Sequence, residues 1–237
     1  GPSNFHKPTF AQQKSLISPQ FAVLQRAFEN GNARMTSSAN AVEPEYTIVF
    51  ETVGNPSEFY TAVNKLKTKY PNVEWLMELS STCPNNNEFY AIDKKGNRDD
   101  TKQLKTKVFC ILTNQQALSQ ILSLWKNYSS NEQFKFESGL TGFKHLFSTL
   151  KDVHQWGIQE RIEDTGLLEE WNEELKYNPN NTVRTQIELF YRSSEYKRNS
   201  SEQRITNLIT SVGGTVISRS LIPEIQYHAI LAEIPKA

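Results

Sequence analysis

Two periodicities divide the chain, and they are clearest near its end. From Thr182 an extended run places Val183, Thr185, Ile187, Leu189 and Tyr191 on one face. Ile205, Leu208, Ile209 and Val212 then recur at helical spacing. Ser200 and Gln203 have capping-box spacing at the start of that helix, and Gly213-Gly214 predicts its stop. Val216–Leu221 and Tyr227–Ala232 alternate at period two, and Pro223, which cannot donate to a ladder, marks the break between them or an exposed edge. The order is strand, helix, strand, strand.

A similar order runs through the first half. Tyr46–Val53 is apolar on both faces, as a central strand is. Asn55-Pro56-Ser57-Glu58 opens a helix lined by Phe59, Val63, Leu66 and Tyr70. Val73–Leu79 and Lys107–Thr113 read as strands, and Leu118, Ile121, Leu122 and Trp125 keep helical spacing. The fold class predicted is α+β, with two ferredoxin-like-type lobes, 46–133 and 182–237, joined by a helical connector at 134–181. In the connector, Leu140, Phe143, Leu146, Phe147 and Leu150 line one helix, and Leu167, Leu168, Trp171 and Leu175 another. Residues 1–45 read as a tag scar (Gly1-Pro2-Ser3), a leader and a linker. Phe21, Leu24 and Phe28 there form one short helical stripe between Pro19 and Gly31.

Composition narrows the function classes. The 26 basic and 26 acidic residues balance, so no overall field points to nucleic acid or to an anionic membrane. No apolar run approaches the roughly 20 residues of a membrane span. Cys83 and Cys110 are too few for a disulfide framework or a zinc site and read as free thiols of an intracellular, cytoplasmic protein. Two local charge clusters stand out. One is basic (Lys94, Lys95, Arg98, Lys102, Lys105, Lys107). The other is acidic (Glu163, Asp164, Glu169, Glu170, Glu173, Glu174) and is either a solvated face or a docking face for a basic partner.

Catalytic signatures are missing. Asp164-Thr165-Gly166 matches the Asp-Thr-Gly of aspartic and subtilisin-like proteases, but it lies between amphipathic helical stretches and has no second copy to complete a dyad. It reads as a helix cap or turn. His6, His145, His154 and His228 lie apart, none at metal-ligand spacing, and His228 alternates with core positions as a hydrogen-bonded structural histidine does. No cofactor, metal or catalytic residue is expected.

Several segments together resemble the N-terminal region of a group of bacterial subtilisin-like serine proteases. They are Phe50–Phe59, Val73-Glu-Trp-Leu76, Thr113–Leu118 with Leu124-Trp125, Asp164–Trp171 and Ile222–Pro235. The resemblance covers the chain from about residue 5, and in that group the last segment leads through a linker to the catalytic domain. The histidine and serine motifs of that domain are not in this sequence, so no catalytic residue carries over. Subtilase propeptides are also small ferredoxin-like domains that dock a sheet on the protease and thread a tail into its cleft. The resemblance therefore implies a non-catalytic, prodomain-like inhibitor and folding aid whose partner is a subtilisin-like catalytic domain. Ile222, Pro223, Tyr227, Ile234 and Pro235 are the candidate contacts. Members of the group are often encoded beside an AAA-type ATPase and linked to phage defence. This implies the alternative, a module that senses or recruits substrate or that ATPase.

Overall fold

The computed structural model describes residues 5–37, 45–157, 166–177 and 182–235. The chain is α+β and divides into two compact units, Gly1–Trp156 and Gly157–Ala237.

The first unit is built on a four-stranded antiparallel sheet. A short strand β1 (Phe5–His6) precedes helix α1 (Phe10–Ser37) and strand β2 (Tyr46–Val53). Helix α2 (Phe59–Lys69), β3 (Glu74–Cys83), β4 (Tyr90–Ala91) and β5 (Leu104–Thr113) follow, then α3 (Gln115–Ser130), α4 (Thr141–Thr149) and β6 (Leu150–Gln155). The sheet order is β3-β5-β2-β6, while β1 pairs with β4 apart from it. Asn114 caps α3 by accepting the Ala117 N–H through its side chain at 2.9 Å, which fixes where strand β5 becomes helix. Ile48 and Phe50 of β2 and Phe109 and Ile111 of β5 join Phe59, Leu118, Phe143, Leu146 and Phe147 of the helices in one buried core. Phe59 is its hub. Its ring packs against Phe50, Trp75, Phe109 and Phe143 at centroid distances of 5.1–5.7 Å.

Two expectations for this unit are corrected. The leader does not hold a short helix between Pro19 and Gly31. Helix α1 runs unbroken through both, and its stripe of Ile17, Phe21 and Leu24 is part of the core. Proline removes one helical hydrogen bond, but burial of this stripe outweighs the local loss, and Phe21 stacks on Trp125 at 4.5 Å. Gly31 is required by proximity rather than by a helix end. A Cβ there would lie 1.8 Å from the Tyr46 hydroxyl, which donates to Gln115 Oε1 at 2.5 Å while Gln115 donates to the Phe28 carbonyl.

The helical connector at 134–181 is likewise corrected. Residues 150–155 are the edge strand β6, antiparallel to β2, and belong to the first unit. The pattern misled because Leu150 and Val153 are three apart, a helical interval. A bulge opposite Glu51/Thr52 skips Lys151, so both side chains reach the core from an extended strand. Helix α1 covers β6. Gln13 donates to the carbonyls of Phe147 and Leu150, and the Gln20 side chain accepts the Val153 N–H at 2.7 Å.

The second unit contains α5 (Leu167–Tyr177), β7 (Thr182–Glu188), α6 (Glu195–Ser211), β8 (Thr215–Ile222) and β9 (Tyr227–Pro235). Its sheet order is β7-β9-β8 with β9 antiparallel to both neighbours. Helix α6 begins at Glu195 with Ser194 at its N-cap, six residues before the predicted Ser200 cap. Its end is as expected: the Gly214 and Gly213 N–H groups return to Ile209 and Thr210 with Gly213 at φ 79°, a Schellman motif. Ile209 packs on Ile230 and Ala232 of the central strand, with Ile187, Ile205, Val216 and Ile234 around them. Asp164 and Thr165 lie outside the described residues. The Gly166 carbonyl accepts the Glu170 N–H, the first bond of α5.

Candidate interaction surface

The β8–β9 hairpin places three of the five candidate contacts together. Pro223, with no N–H to give, opens a single 3-10 turn, Pro223–Ile225. Gln226 closes it in the left-handed region at φ 53°, donating its N–H to the Pro223 carbonyl at 3.1 Å. Ile222 then pairs with Tyr227 across the two strands. The tip carries apolar side chains into solvent: Leu221 is 45% exposed, Ile222 40% and Ile225 69%. Ile225 was not among the predicted residues. It lies in the turn itself, where no alternation marks it.

Ile234 and Pro235 lie at the other end of β9, opposite Val183 and Thr182. Eight residues of strand put them about 26 Å from Tyr227. Ile234 packs with the core, and Pro235 stands beside Gly213. The five residues therefore form two separate groups, and the hairpin tip is the exposed one.

Behind the tip, His228 is fully buried. Its Nε2 and the Oε1 of Glu202 on α6 share a hydrogen bond of 2.8 Å, while Glu202 Oε2 lies 3.2 Å from Arg219 Nε. This ties the central strand, the edge strand β8 and the helix through one carboxylate, the structural role read from the sequence.

The remaining polar groups are arranged for structure. Three residues of the basic segment are answered locally: Arg98 pairs with Asp100 and Lys102 with Asp99, each at 2.7 Å, and Lys107 pairs with Glu78. The Lys102 and Arg98 hydrogen bonds hold the carboxyls of Asp99 and Asp100 below the usual range, and the Asn97 N–H does the same for Asp93. Burial pushes the Cys83 thiol up, away from a reactive thiolate, although the Lys151 ammonium acts the other way. Lys151 is held protonated by its bond to Glu51 at 2.7 Å. His154 bonds Asp152 at 2.5 Å, and His145 bonds Ser57 at 2.7 Å. No group of three His, Cys, Asp or Glu able to hold a metal occurs among the described residues. Nor is any helix among them long and apolar enough to cross a membrane.

No family model, curated protein or solved structure matches the chain.

Proposed function

We propose that the chain is a non-catalytic regulatory region of a subtilisin-like serine protease, acting in the bacterial cytoplasm as a prodomain-like inhibitor and folding aid. The observation that carries the reading is the apolar hairpin tip of Leu221, Ile222 and Ile225, held out by a 3-10 turn on a unit whose core it does not serve. The strand orders support it. β3-β5-β2-β6 is the order of a complete ferredoxin-like βαββαβ unit, and β7-β9-β8 that of its first three strands. Ferredoxin-like units are what subtilase propeptides use. The tip would occupy the catalytic domain's surface, and the chain beyond Pro235 would lead from the sheet toward the cleft at high effective concentration.

The test adds the chain in trans to the subtilisin-like domain of the same protein and titrates peptidase activity. Dose-dependent inhibition is expected, weakened at least tenfold by the paired change Leu221→Asp and Ile225→Asp. Unchanged or stimulated activity would overturn the reading. The result would then favour a module that recruits substrate or an AAA-type ATPase. The acidic helix α5 is one charged surface for that second role.

A further inference from the structure

We draw no further inference here: the strongest candidate, the outer edge of β8 with the exposed side chains of Ile217, Leu221 and Ile222, is an unpartnered strand edge among the described residues, and nothing in the structure shows what covers it.

Discussion

The two units share the opening strand-helix-strand-strand order but invest it differently. The first closes its sheet with a fourth strand, lays α1 across that strand and fills the interior with Phe21, Phe50, Phe59, Phe143 and Phe147. Among the described residues the second buries Ile209, Ala229, Ile230 and Ala232 as apolar core and sets a His228–Glu202 pair beside them. Most of its edge strand β8 is exposed. Hydrophobic stabilisation follows apolar area removed from water, so the larger described core gives the first unit the larger apolar contribution. Among its described residues the apolar hairpin tip stays exposed, and that is a surface a partner can use.

The sharpest way to break the comparison is to empty each core in turn. Phe59→Ala removes a ring packed against four aromatics and should cost the first unit about 3–5 kcal/mol. Ile230→Ala should cost the second about 2–5 kcal/mol, a larger share of a smaller total. Denaturant titration followed by amide exchange separates the two. Ile230→Ala should release the β9 amides while leaving those of β2 protected, and a joint loss would show that the units do not unfold independently.

A smaller effect is expected from Glu202→Ala. The change leaves His228 Nε2 buried without its partner, and Nδ1 already has none among the described residues. The cost is about 1–3 kcal/mol, confined to the second unit. Glu202→Gln keeps an acceptor and should recover part of it. An alanine variant as stable as the parent would show that the buried pair adds nothing.

The smallest effect appears only in alkali. Burial pushes the Tyr128 hydroxyl in the first unit up to about 12 from 10.0. Its contribution is fully present below pH 10.0 and is lost as pH rises toward about 12, because the unfolded chain releases that proton first. Tyr128→Phe should therefore flatten the alkaline limb of the stability profile and leave neutral stability nearly unchanged. An identical limb in the variant would contradict this.

The sequence was legible where periodicity and punctuation agreed. Gly213-Gly214 stops α6 because a Schellman turn needs a left-handed residue, and Pro223 ends β8 because it has no N–H. Strand β6 was hidden because its bulge converts an interval of three into a strand with two inward residues. Helix α1 was cut short because Pro19 and Gly31 usually interrupt helices, whereas packing on Trp125 and the Tyr46 hydroxyl decides otherwise here. The hairpin tip was partly visible in Ile222, Pro223 and Tyr227. The groove between α5 and β7 was not, since only folding brings the helix against that strand; its acidity alone was on view.

The contact between α1 and β6 also has a history in time. Gln13 and Leu150, which it joins, are 137 residues apart in sequence. At a synthesis rate of about 5–20 residues per second, that interval is on the order of ten seconds. For most of it, the stripe of Ile17, Phe21 and Leu24 has been made while Trp125, Phe147 and β6, its partners, are still to come. Helix α1 is thus made long before its seat is complete, and during the wait its apolar side is open to chaperones.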